Sequence, residues 1–423
     1  TRIWVYMYRQ LNYAEQQLQR GYLSSVDPVM HFGLGDATKI DSLFIVWPSG
    51  RMQVMRDVSA NTRISASHDQ AELTYQRPKP KATWLEKTES AIASVMPEDI
   101  YTDYKSGQAT LPHKFSQQGP RLAVGDINGD ALDDFIVGGT AYHSAIIYLQ
   151  EPGGKFHVDS LGVKASEDVG ILLFDADKDA DLDLYCVSGS SEFGKDASKY
   201  QDRLYKNNGK GKFQLDKGAL PTIESSGSCV IATDFDHDGD LDLFVGGRVI
   251  PLSYPLTPGS YLLENNGEGK FEDVTASIGG GIDSVGMVTD ALFTDFDNDG
   301  WKDLIVVGEW LPLTIFRNER GSFKKIKELK TGWWSSIAEG DFDNDGDTDY
   351  IVGNLGKNSV LQASDKEPVS IYAKDFDGNG SLDPFMSRYI NGKEYPVHYR
   401  ETMTEQIPGL RRLLKTYSEY GKM

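Results

Sequence analysis

The chain has 423 residues, room for two or more domains, and its 39% hydrophobic and 25% charged content is ordinary for a globular protein. A formal net charge of −20 excludes nucleic acid as a favoured partner, because phosphates would be repelled. No run approaches the roughly 20 apolar residues of a membrane helix, and two cysteines are too few for a disulfide framework.

Residues 1–70 read as several short strands with a WPSG turn at Trp47–Gly50, and they make a small β domain. Thr1 opens directly into strand-like sequence, which leaves room for an export signal or lipid anchor ahead of it. A Pro-rich, charged linker follows, centred on Gln76–Lys81 within residues 71–83. From residue 84 to 390 the chain is organised by a repeat. The loops are DINGDALDD at Asp126, DADKDADLD at Asp175, DFDHDGDLD at Asp234, DFDNDGWKD at Asp295, DFDNDGDTD at Asp341 and DFDGNGSLD at Asp375. The intervals between first residues are 49, 59, 61, 46 and 34. Short apolar runs flank the loops, so each is predicted to join two strands.

A second marker recurs out of phase: EPGGKF, NNGKGKF, NNGEGKF and NERGSF, ending at Phe156, Phe213, Phe271 and Phe323. These are hairpin-turn signals falling 28 to 38 residues after the first Asp of each loop. One repeat therefore holds two hairpins, which describes a four-stranded propeller blade. The sixth loop comes only 34 residues after the fifth, which places Asp375–Asp383 in the outer hairpin of the fifth blade, with Pro384 on an edge strand. Beyond Asn391, Ile407, Leu410, Leu414 and Tyr417 fall on one helical face, so residues 391–423 are predicted to be partly helical. The expectation is an all-β chain carrying about five blades of a propeller whose further blades lie outside this sequence. Cys186 and Cys229 lie in strand-like runs, as packed thiols or as a bonded pair.

The loops carry calcium chemistry. Ca²⁺ takes six to eight hard oxygens, and carboxylates at loop positions 1, 3, 5 and 9 can converge when the loop curls. The candidate ligands are Asp126, Asn128, Asp130 and Asp134 in the first loop and Asp175, Asp177, Asp179 and Asp183 in the second. They continue with Asp234, Asp236, Asp238 and Asp242 in the third, and Asp295, Asp297, Asp299 and Asp303 in the fourth. The fifth supplies Asp341, Asp343, Asp345 and Asp349, and the sixth Asp375, Asp377, Asn379 and Asp383. An EF-hand is excluded, since position 12 is Val137, Cys186, Val245, Val306, Val352 or Met386, none of them a bidentate acid. Ala131 and Ala180 replace glycine at position 6, and Asn128 and Asn379 lower the ligand charge. The loops at Asp234, Asp295 and Asp341 are therefore expected to bind best. Up to six Ca²⁺ are expected, with weak affinities suited to extracellular calcium.

These residues resemble a known family. The loops with their strands look like the VCBS, or FG-GAP, repeats of integrin-α-type propellers, although the literal FG-GAP tripeptides are absent. Residues 1–70 resemble the ASPIC/UnbV domain through Gly21–Ser24, His31–Gly35 and Val46–Gly50. That domain accompanies such repeats in cartilage acidic protein and in bacterial surface proteins, and the phrasing here looks most like the Bacteroidetes branch. The resemblance implies seven blades, an insertion after Tyr395–Arg400, and a secreted or outer-membrane-attached location, often as a lipoprotein.

The expected function is a non-catalytic extracellular scaffold or adhesion module with a protein or glycan partner, such as an outer-membrane complex. Trp310, Trp333, Trp334, Tyr254 and Tyr261 are the candidate contact residues, because aromatics dominate such surfaces. The alternative is a polysaccharide lyase or hydrolase on a propeller scaffold. Against it, the seven histidines are scattered, and no H-E-x-x-H or G-x-S-x-G occurs. An acid outside the loops, in a deep pocket and with a raised pKa, would favour it. A third reading gives binding to the N-terminal domain, where His31 beside Phe32 is a structural residue.

Overall fold

The computed structural model describes residues 1–8, 10–18, 26–76, 101, 103–105, 108–162, 164, 166–356 and 359–422. The chain forms two compact units, Thr1–Glu89 and Ser90–Met423.

In the first unit, five strands form one antiparallel sheet: Arg2–Met7, Gln10–Glu15, Lys39–Val46, Arg51–Ser59 and Leu73–Thr74. The 2–7 strand lies between 10–15 and 39–46, and 51–59 and 73–74 follow outward. Alternation decides its buried face: Val5, Met7, Leu43 and Ile45 point inward, and Phe32 and Leu34 pack onto them. Trp47–Gly50 forms the expected turn, with the Gly50 N–H donating to Trp47 O at 2.9 Å and φ 83° at Gly50. His31 is exposed. Gly21–Ser24 and residues 77–83 of the expected linker lie outside the described residues.

In the second unit, the strands flanking each Asp loop pair antiparallel, and every loop closes on one register. The residue before the loop faces position 9: Gly125 opposite Asp134, Phe174 opposite Asp183, and Thr233 opposite Asp242. Thr294 opposite Asp303, Gly340 opposite Asp349 and Lys374 opposite Asp383 continue the series. A third and a fourth strand follow across the marker turns, as at 203–206 with 214–215 and 261–265 with 271–273. In the fourth blade two elements run long, Asp303–Asn318 and Phe323–Gly340. The Asn318 N–H nevertheless reaches Asp303 Oδ1 at 2.7 Å. Sixteen extended residues would span roughly 50 Å, so the first element folds back on itself, at Trp310 with φ 57°.

The core lies between blades. Ile136 and Ile147 pack against Leu184 and Cys186, Tyr185 and Leu204 against Val230 and Leu243, and Phe244 and Leu262 against Leu304 and Phe316. The fold is thus all-β, with propeller-type repeats and a small N-terminal β domain. Cys186 and Cys229 are free thiols, packed in different inter-blade cores.

Three expectations are corrected. The sixth loop is not an outer hairpin of the fifth blade. It joins Ser370–Lys374 to Asp383–Ile390 in a separate three-stranded sheet completed by Lys393–Pro396. The fifth loop's hairpin, 334–340 with 349–354, is followed by no second hairpin among the described residues, which accounts for the short interval. Pro384 stands on the middle strand of the new sheet, not on an edge. The 393–396 strand begins to pair only at Ser387, so no ladder bond on that side is asked of the proline, which faces Ala373 on the other. Residues 400–420 form three short helices, Arg400–Gln406, Leu410–Leu413 and Tyr417–Tyr420, because Pro408 breaks the run. Ile407 is buried and Tyr417 exposed, so no single helical face forms.

Candidate metal-binding loops

The curl of each loop is built from its own backbone. The N–H at position 6 donates to the position-1 carboxylate: Ala131 to Asp126 at 2.8 Å, Ala180 to Asp175 at 3.1 Å, and Gly239 to Asp234 at 3.1 Å. Gly300 reaches Asp295 at 2.9 Å, Gly346 reaches Asp341 at 3.2 Å and Gly380 reaches Asp375 at 2.9 Å. Position 6 is left-handed throughout, with φ from 66° at Ala131 to 94° at Gly346. Ala131 and Ala180 therefore hold a conformation that costs about 1–2 kcal/mol for a residue with a Cβ. Position 4 is left-handed as well, at Gly129, Lys178, His237, Asn298, Asn344 and Gly378, a demand the sequence reading did not anticipate.

Three carboxylates converge in five loops, with oxygens within 4.8 Å of one another. They are Asp175, Asp177 and Asp179; Asp234, Asp236 and Asp242; Asp295, Asp297 and Asp299; Asp341, Asp343 and Asp349; and Asp375, Asp377 and Asp383. Asp238, Asp345, Asp183 and Asp303 stand outside those groups, and among the described residues Asp126, Asp130 and Asp134 form no such group. Asp175 Oδ1, Asp177 Oδ1 and Asp234 Oδ1 are buried without a hydrogen-bond partner. Buried anionic oxygens are expensive unless a cation or donor meets them. Crowded, hard, partner-free oxygens fit Ca²⁺, and this donor set suits Zn²⁺ poorly.

Position 9 has a second task. Asp242 Oδ2 accepts the Phe235 N–H at 3.1 Å and its Oδ1 the Asn265 N–H at 2.9 Å. Asp134, Asp183 and Asp303 are held alike, by Gln150, Asn207 and Asn318. For Asp383 the Gln406 side chain takes that place at 2.7 Å. Burial, with aspartate neighbours adding to it, pushes Asp183 up to about 6 and Asp242 up to about 7.

The three asparagines also reach backward. Asn207 Nδ2 donates to Ile127 O, Asn265 Nδ2 to Ala176 O, and Asn318 Nδ2 to Phe235 O, each at position 2 of the preceding loop, at 2.7–2.8 Å. Their second bonds go to Leu182 O, Leu241 O and Lys302 O, at position 8 of their own loops. The first Asn of the NNG marker is therefore a latch between blades as well as part of a turn.

The aromatic candidates separate. Tyr254 is fully buried, donating to Glu309 Oε1 at 2.7 Å, and Tyr261 packs on an inter-blade core. Trp310, Trp333 and Trp334 line a groove of about 710 Å³ with Lys330, Asn354 and Asp365. The residue before Trp310, Glu309, binds Arg248 at 2.6 Å and His113 at 2.9 Å, and these partners hold its carboxyl down to about 2 despite burial.

Two family models match parts of the chain. ASPIC and UnbV covers residues 1–73, and FG-GAP-like repeat covers residues 187–245 and 295–352. No curated protein matches. Among solved structures, the V. cholerae biofilm matrix protein Bap1 is similar at 14% identity, over 70% of this chain and 40% of that one, with a TM-score of 0.28. This chain thus spans less than half of that protein, and so low a score carries no argument.

Proposed function

We propose that this chain, which carries an ASPIC and UnbV domain followed by FG-GAP-like repeats, is a non-catalytic calcium-binding scaffold working outside the cell. In this assignment residues 1–70 are the N-terminal domain, 71–83 the linker, 84–390 the propeller and 391–423 an insertion. The observation that carries the reading is the set of partner-free buried oxygens at Asp175, Asp177 and Asp234, inside loops that repeat six times. Positions 1, 3, 5 and 9 would supply the ligands, and calcium would stiffen the loops and offset their mutual repulsion. Dissociation constants of about 10⁻⁴–10⁻³ M fill such sites only at extracellular calcium. The surface for a protein or glycan partner is the face bearing the Trp310, Trp333 and Trp334 groove, on a cell-surface or outer-membrane assembly.

Affinity capture of the full-length protein from its native envelope, in 1 mM calcium and again in chelator, tests this. A defined complex that dissociates in chelator is the expected result. Confirmed calcium binding with nothing captured in either buffer would sink the protein-scaffold reading and turn the search to soluble glycans.

Glu192 favours a second reading, as an enzyme on glycans. Burial and Glu167 push its carboxyl up to about 8, outside the loops. Yet Glu192 and Glu167 accept the Gln117 and Gly119 N–H groups at 3.2 and 2.9 Å, which gives the pair a structural task. Glycan cleavage by the wild type that Glu192→Gln abolishes would establish the enzyme.

A further inference from the structure

Lys206, Glu264 and Arg317 occupy one equivalent place in three successive blades. Each directly precedes a latch asparagine, Asn207, Asn265 or Asn318, and those three make the same hydrogen bonds. Successive side chains on a strand point to opposite faces, so a shared asparagine geometry gives the three preceding side chains a shared direction. That direction is position 3 of their own loop. Lys206 Nζ lies 2.8 Å from Asp177 Oδ2, and Arg317, which also pairs with Glu319, lies 4.0 Å from Asp297 Oδ2. In the second loop an ammonium group is thus already bonded to one candidate ligand oxygen, Asp177 Oδ2, while Asp175 Oδ1 and Asp177 Oδ1 stay without a partner.

The third blade reverses the sign. Glu264 is half-buried at the equivalent place, which directs it toward position 3, Asp236, and its carboxylate stands outside the three oxygens that converge within 4.8 Å in that loop. Its loop already contains the partner-free Asp234 Oδ1. A further carboxylate there is costly alone and favourable once a divalent cation is shared.

We propose that this position sets calcium affinity loop by loop: Glu264 adds an oxygen ligand to the third loop, whereas Lys206 and Arg317 are built-in counter-cations that compete with calcium in the second and fourth. The inference rests on the loops being calcium sites. It ranks the third loop above the fourth, although both have four aspartates and a glycine at position 6, because the cation paired with the third loop, Lys178 of the second, meets Asp240 at position 7 and not a candidate side-chain ligand. Calcium at the second loop must displace the Lys206 ammonium from Asp177, where the Glu268 carbonyl also holds it at 2.8 Å.

Trp301 makes the test direct. It is position 7 of the fourth loop and stacks on His237 of the third, with ring centroids 3.9 Å apart, so it can sensitise a lanthanide in either loop. The full chain is titrated with Tb³⁺ and then with competing Ca²⁺, while Asp236→Asn and Asp297→Asn assign the two phases. Glu264→Gln is expected to weaken the third-loop phase about tenfold and Glu264→Lys further, while Arg317→Gln strengthens the fourth-loop phase several-fold. Circular dichroism selects folded variants, and Arg317 is exposed enough to keep the test open should a Glu264 variant misfold. Saturable binding that is unchanged at residues 264 and 317 overturns this inference alone. A wild type with no calcium-displaceable signal overturns the calcium reading itself.

Discussion

Replacing Asn265 by alanine should destabilise the protein far more than replacing its neighbour Asn266. Asn265 is 4% exposed, and its Nδ2 donates to Ala176 O at 2.8 Å in the preceding loop and to Leu241 O at 3.2 Å. Truncation leaves both carbonyls without this donor in a buried setting, where an unmet polar group costs about 1–3 kcal/mol. The Gly267 N–H at 3.2 Å loses its acceptor too. With partial relaxation we expect about 2–4 kcal/mol in total. Asn266 is exposed and accepts only the turn N–H groups of Glu268 and Lys270, which water can satisfy. Its loss should cost below about 1 kcal/mol. Equilibrium urea unfolding at saturating calcium, with the slope checked for constancy, measures both. If Asn265→Ala costs no more than Asn266→Ala, the side chain is merely part of a turn and the latch does not exist.

The calcium-dependent gain in stability should grow as pH rises from 5 to 7.5. Asp183 and Asp242 have folded values of about 6 and about 7, above the ordinary 3.8. Their contribution to the metal-free fold is therefore complete below about pH 4 and is lost as pH climbs through 6 and 7. Calcium prefers the ionised forms and offsets that loss. Thermal melts in 1 mM calcium and in chelator at each pH give the increment, about 0.4–1.4 kcal/mol per site at neutral pH; a gain that shrinks with rising pH refutes the assignment. Arg248→Met should cost about 3–5 kcal/mol by leaving Glu309, 4% exposed, without its guanidinium partner. Adding Glu309→Gln should recover much of that loss in urea unfolding, and a double variant as unstable as the single would contradict it.

The loops and hairpins were legible because they obey local rules. Nine residues with Asp at fixed positions and a left-handed sixth residue, set between short β-rich runs, close a short antiparallel pair, and all six do. The sixth loop was misplaced because spacing counts residues, whereas blade membership is decided by which edges share hydrogen bonds. Tyr254 looks like a contact residue in sequence because its burial partners are distant, with Phe115 and Met287 packed around it and Glu309 accepting its hydroxyl from 55 residues away. The latch was invisible for the same reason. Asn207, Asn265 and Asn318 look like turn residues, and their partners lie 80, 89 and 83 residues upstream. Seen together, loop and latch share one carboxylate. Asp242 points toward Asp234 and Asp236, and it also holds the amide of Asn265, whose side chain grips the previous blade. Charge neutralised in the loop therefore acts on the group that fixes the spacing between blades. The positions that build this joint recur from blade to blade, whereas the neighbouring position, Lys206, Glu264 or Arg317, varies in sign. A constant frame with one variable charge is the arrangement expected if the blades share a fold and differ in how tightly each holds its cation.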